Sequence, residues 1–223
     1  NVSMRLPTRW VVAALGVAIV CLGLMYTGLN LLISGGFKES VQRSETLMSS
    51  MRAQMTADMV HDGIRGVVFH AMYAGAMSDA AMATQSRDEL TEYAATFHEM
   101  LAIQDGLDLP QSVRAAVDGV KPTLLGYENA ASEIVNLIVA GDLAGAQVAL
   151  PAFDAAFGAL EGAMSDVSDA IETANVGMLE ATRATADLAD IAMWIGVGVI
   201  AIMAAATLWL SGRIFLKPLA NLT

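Results

Sequence analysis

The stretch Leu143–Leu216, LAGAQVALPAFDAAFGALEGAMSDVSDAIETANVGMLEATRATADLADIAMWIGVGVIAIMAAATLWLSGRIFL, decides the fold. Leu143, Ala146, Leu150, Phe153, Phe157, Leu160, Met164, Val167, Ile171, Ala174, Met178, Ala181 and Leu188 follow one another at alternating steps of three and four, with Thr185 the one interruption. An a/d seam of this length exceeds the three or four heptads that mark coiled-coil-like packing. Without a break it runs into Ile191–Leu210, which carries no charge. At 1.5 Å per residue such a run spans roughly 30 Å, the thickness of a bilayer's hydrocarbon core. A helix that packs in water at one end and crosses lipid at the other can carry small displacements between compartments. The plainer reading is a membrane anchor with a helical stalk.

Outward from this stretch, charge fixes an orientation. The net charge is −11, yet all 23 Asp and Glu residues lie between Lys38 and Asp190. Beyond those limits the charged residues are Arg5, Arg9, Arg213 and Lys217, all basic. Basic flanks at both outer ends place both termini in the cytoplasm and the acidic middle outside. An acidic exterior gives no footing for nucleic acid, which needs a basic surface. Cys21 is the one cysteine, so no disulfide or thiolate metal site forms within one chain.

Met4 reads as a native start, preceded by three further residues. Trp10–Ile33 is a second run without charge, longer than the apolar region of a cleaved signal and lacking its small-residue exit. It reads as an uncleaved first span. Trp10, Tyr26, Trp194 and Trp209 suit interfacial anchoring. The expected organisation is a cytoplasmic N-terminus (1–9), a first span (10–33), an external sensory domain (34–190), a second span (191–212) and a short linker (213–223).

Gly35-Gly36 should loosen the exit from the first span. From Lys38 to about Met77 the pattern is helical with two apolar faces. Met48, Met51, Met55 and Met59 continue into Phe69 and Tyr73 on one side, while Val60, Ile64, Val67 and Ala71 lie nearly opposite. A helix apolar on opposite sides needs two partners, so we expect a parallel homodimer with Met51, Met55 and Phe69 near its axis; a central helix in a monomeric bundle is the alternative. Ser78–Ser86 reads as a turn region, and Ser86-Arg-Asp-Glu89 has capping-box spacing that would start a helix reaching about Gln104. Gly106-Leu-Asp-Leu-Pro110 is a breaker. Pro110 suits the first position of a helix reaching about Ala140, with a kink at Pro122. Gly141-Asp142 closes that helix and caps the next, in which Pro151 should produce a bend. No alternating β-branched run signals a strand. The fold class is therefore all-α: a membrane protein whose two transmembrane helices flank an antiparallel extracytoplasmic four-helix bundle.

This order of elements resembles the sensory half of a bacterial methyl-accepting chemotaxis receptor. Arg213-Ile-Phe-Leu-Lys-Pro-Leu-Ala-Asn-Leu222 resembles the opening of a HAMP linker, and Ala57-Asp-Met-Val-His-Asp-Gly-Ile-Arg65 resembles a D-x-x-H-D-x-I-R stretch in the first sensory helix of such receptors. The resemblance implies an inner-membrane homodimer that senses a small molecule or a periplasmic binding protein and signals to cytoplasmic proteins. Most of HAMP, the methylated helices and the kinase-contacting tip are not in this sequence. Sensor histidine kinases and membrane diguanylate cyclases share such a sensory half.

Asp58, His61 and Arg65 project within a narrow sector of the first sensory helix. An Arg fork there would hold a ligand carboxylate with His61 as an added donor; an interhelical ion pair is the plainer role. Arg114 is a further candidate for ligand binding, and Arg183 another. His61 and His70 face opposite sides of one helix, so neither a metal nor a cofactor is expected. No nucleophile triad, phosphate loop or zinc-protease motif occurs, so an enzyme is not expected. The reading from a different class is a structural or accessory membrane subunit that docks another protein.

Overall fold

The computed structural model describes residues 8–211, with side chains from 16 to 209. Four helices account for nearly all of them: α1 (Thr8–Met77), α2 (Ala80–Gly106), α3 (Gln111–Val139) and α4 (Leu143–Ser211). No strand occurs among the described residues. Met4, Arg5, Arg213, Lys217 and the HAMP-like segment 213–223 lie outside them, as do the side chains of Arg9 and Trp10. The described chain divides into two compact units: a central one, Gln42–Met178, and a terminal one of the described residues up to 41 and from 179.

The turns of the central unit follow from local chemistry. Ser78 takes φ 54°, its N–H donates to the Gly75 carbonyl, and Asp79 N–H donates to the Ala74 carbonyl at 2.9 Å. This is a Schellman closure of α1 with serine in the left-handed position that glycine normally fills. Asp79 then caps α2, its carboxylate accepting from the N–H groups of Ala81 and Met82. The turn is thus two residues long. The expected turn over 78–86 is corrected, because the Ala80–Ala83 stretch is good helix former and Asp79 supplies the cap in place of Ser86. Ser86 instead lies buried inside α2, donating to the Met82 carbonyl. Pro110 precedes α3 as its N-cap, one position earlier than expected, and Arg114 Nη2 donates to the Leu107 carbonyl across that turn. Gly141 (φ +81°) and Asp142 close α3 with the same two bonds, Gly141 N–H to Ile138 and Asp142 N–H to Leu137. Asp142 also caps α4 through Gly145 N–H at 2.8 Å. α3 runs on through Pro122 and α4 through Pro151.

All four helices feed one core in the central unit. Ile64, Val68 and Ala71 of α1 meet Phe97 of α2, Leu124, Tyr127 and Ile134 of α3, and Phe153, Leu160 and Val167 of α4. Each such large side chain contributes about 1.5–3 kcal/mol on burial. A Cβ on Gly63 would sit 2.9 Å from Tyr93 Cε1, and one on Gly75 would sit 2.6 Å from Ile138 Cδ1, so α1 approaches α2 and α3 where it carries no side chain. The two apolar faces of α1 have different fates in this chain: Val60, Ile64, Val67 and Ala71 are buried, whereas Met48, Met51, Met55, Met59, Phe69 and Tyr73 are exposed.

The seam of α4 holds from Ala146 to Met178 and then changes phase. Ala181 is exposed and Leu188 is 62% exposed, while Thr182, Thr185 and Ala189 are half-buried. Thr185, read from sequence as an interruption, is therefore an inward position. Two successive four-residue steps, Ala174–Met178–Thr182, have the spacing of a stutter, which locally unwinds a heptad seam.

In the terminal unit Ser40 Oγ and Thr182 Oγ1 share a hydrogen bond at 2.5 Å. Gly36 approaches Thr185, and Gly196 lies against the ring of Tyr26. α1 continues through Gly35-Gly36, so these glycines do not break it, although they cost helix propensity. Each of α1 and α4 holds an 18-residue window apolar enough to cross a membrane, with mean hydropathy 2.0 and 2.3.

Candidate functional site

Asp58, His61 and Arg65 do share a sector of α1, but their surroundings separate them. Asp58 is exposed and borders a groove of about 370 Å³ between α1 and α4. Met51, Gln54 and Met55 line it from α1, and Glu161, Met164, Ser165, Ser168 and Ile171 from α4. Its floor is tied by Gln54, whose Nε2 donates to the Met164 carbonyl at 2.9 Å while its Oε1 accepts from Gln104 Nε2 of α2. The volume is within the range of small-molecule sites, about 300–1,000 Å³. Asp58 and Glu161 give this groove a negative character, and no cationic side chain lines it.

His61 is 2% exposed. Its ring stacks on Phe157 of α4 with centroids 4.0 Å apart and planes 14° from parallel, and meets Tyr127 of α3 at 5.2 Å. Tyr127 donates its hydroxyl to the His61 carbonyl at 2.9 Å. The His61 Nε2 is buried without a hydrogen-bond partner. Burial lowers the His61 pKa below 6.5, against the pull of Asp62, Asp58 and Glu161. His61, expected from sequence as an added donor to a ligand, is thus a buried ring of the core.

Arg65 is half-buried. Its guanidinium lies 4.3 Å from the centroid of Phe157 and 5.7 Å from that of Phe69, a cation–π arrangement. Its Nε is buried without a partner. Among the described residues no carboxylate pairs with it. Phe157 therefore receives both His61 and Arg65, which stand one helical turn apart.

Arg114 lies elsewhere. Bonded to the Leu107 carbonyl, it is thirteen residues from Tyr127 on α3, about 20 Å along the helix. Arg183 is exposed and belongs to the terminal unit. The three histidines have separate partners: His70 Nδ1 is 3.1 Å from Ser86 Oγ, and His98 Nε2 is 3.1 Å from Glu128 Oε2. Burial raises the pKa of Glu128 and His98 opposes that shift. Among the described residues no group of three or more His, Cys, Asp or Glu is placed to hold a metal ion.

Sequence reasoning missed Phe157 and Tyr127 as partners of His61. Phe157 falls on the α4 seam and reads as ordinary core; for Tyr127 the hydroxyl was the one available signal. No family model, curated protein or solved structure matches the chain.

Proposed function

We propose that the chain is the sensory half of a transmembrane signalling receptor of the chemotaxis-receptor type. In this reading residues 42–178 form an antiparallel four-helix bundle on the periplasmic side of a bacterial inner membrane, and the apolar segments of α1 and α4 cross it. The observation that carries the reading is that the two helices with membrane-length apolar windows are the same two that border the groove at Asp58. Leu24, Leu31, Leu32, Ile195, Ile202 and Leu208 are all at least 60% exposed, a concentration of outward apolar surface that suits lipid.

The ligand, a small molecule or a periplasmic binding protein, would engage α1 and α4 together around Asp58 and Arg65. Its binding would bias α4 against α1 by about 1–2 Å, the usual scale of shifts between packed helices. A HAMP-like segment would pass that bias to cytoplasmic signalling proteins. The exposed stripe Met48, Met51, Met55 and Met59 favours a homodimer here, and it equally supports the second reading, a membrane subunit that docks another protein.

Two measurements test this. With Cys21 replaced by alanine, single cysteines at Asp105 and Ser211 are labelled in intact cells with a membrane-impermeant maleimide. Labelling at Asp105, and at Ser211 after permeabilisation alone, is the expected topology. Residues 1–223 are then joined to the HAMP and kinase-controlling part of an established chemotaxis receptor, and kinase activity is read across a set of amino acids, carboxylates and amines. Activity controlled by an added compound, and weakened by Arg65→Ala, supports the receptor. The expected topology with activity fixed across the whole set favours the docking subunit.

A further inference from the structure

We infer that His61 is a proton-binding site whose occupancy sets the packing of α1 against α4, so that acidification loosens this junction. The inference is independent of the receptor reading: it concerns the core of the central unit and stands whether or not a ligand or an output exists.

The geometry selects the proton. The His61 ring is enclosed by Phe157 at 4.0 Å and Tyr127 at 5.2 Å, and only 2% of the residue reaches solvent. Its Nε2 is buried without a partner. A proton taken from solvent by the neutral ring gives an imidazolium, a desolvated cation whose Nε2–H has no acceptor.

The groups around the ring make this a two-position switch. Arg65, from α1 itself, already places its guanidinium over the Phe157 ring, so a second cation there is opposed. Tyr127 of α3 has its hydroxyl on the His61 carbonyl, and Tyr93 of α2 packs against Gly63. Neither offers an anion. The three carboxylates that favour a charged His61 are Asp58 and Asp62 of α1 and Glu161 of α4, and all three are exposed. The neutral ring belongs in the stack; the charged ring gains by leaving it for the carboxylates at the groove. Departure removes the stacking on Phe157, one of the contacts that tie α1 to α4.

The test uses the full chain in lipid nanodiscs with isotope-labelled histidine. The chain has 3 histidines, so His70→Gln and His98→Gln assign the His61 signal. The expected result is a neutral ring at neutral pH and a titration midpoint below 6.5. Below that midpoint, amide exchange corrected for intrinsic rates should rise about tenfold or more in residues 57–65 and 153–161. The rise should be absent in His61→Phe, which keeps an aromatic ring, and in His61→Gln. A midpoint at or above 6.5, or the same rise in a folded variant, overturns the proposal. Should both variants fail to fold, the midpoint of the unsubstituted chain and its exchange rise below that midpoint decide.

Discussion

The imidazole of His61 and the ring of Phe157 lie 4.0 Å apart and 14° from parallel, although they stand far apart in the chain. The stack joins α1 to α4 in the core of the central unit. It also holds an imidazole in a dry environment, and a stability consequence follows.

Stability should fall on mild acidification. Burial holds the folded-state pKa of His61 below its ordinary 6.5, so the unfolded chain takes up the proton first as pH falls. Stability present above 6.5 is therefore lost progressively down to the folded-state value and levels off below it. One such group costs up to about 1.4 kcal/mol per pH unit inside that window. Glu128 acts in the opposite sense, because burial raises its pKa and its neutral form gains as pH falls. The measurement is the unfolding midpoint from about pH 8 to about pH 5, taken as the difference between the unsubstituted chain and His61→Phe. That difference should grow on acidification.

Backbone geometry gives predictions of opposite sign. Ser78→Gly relieves a left-handed serine at φ 54° and should stabilise by about 1 kcal/mol, while Gly141→Ala, at φ +81°, should destabilise by a similar amount. Gly75→Ala drives a methyl into Ile138 Cδ1 at 2.6 Å and should cost about 1–3 kcal/mol. Gly66→Ala meets nothing within 4 Å and should stabilise by about 1 kcal/mol through helix propensity. Thermal unfolding of the four variants checks all signs at once.

The proposed homodimer rests on the exposed stripe of α1. Met51→Cys, Met55→Cys and Phe69→Cys, each in a Cys21→Ala background, should cross-link between subunits under mild oxidation. Cross-linking confined to cysteines on α4 would place the two-fold axis elsewhere.

Much of this architecture is legible in the residues. Gly106–Pro110 and Gly141-Asp142 announce two of the three turns: the first joins a glycine to a proline that starts the next helix, the second a glycine to a capping aspartate. The third is not legible at Ser86, because Ala80, Ala81, Met82 and Ala83 extend α2 back to Asp79, and a serine at φ 54° is not a residue one would choose for that turn. The phase change of α4 after Met178 escapes notice because Ala181 and Leu188 satisfy the heptad count; threonines at 182 and 185 take the inward positions instead. At the candidate site, angular spacing brings Asp58, His61 and Arg65 onto one sector. Their separation into a groove residue, a core residue and a ring-stacked cation depends on Phe157, which belongs to another helix. No local pattern encodes such a contact.

The measurement that bears most directly on the receptor account is the resting kinase activity of the fusion described above, with and without two glycines inserted after Ala181. Two added residues turn the following helix by about 200° and soften it, while the central unit upstream is untouched. If α4 is a stiff coupler, the inserted fusion should lose control by the compound and settle at a different resting activity, with its hydrogen-exchange protection between 42 and 178 unchanged. Unaltered resting activity and unaltered response would contradict the account and leave α4 as a tether.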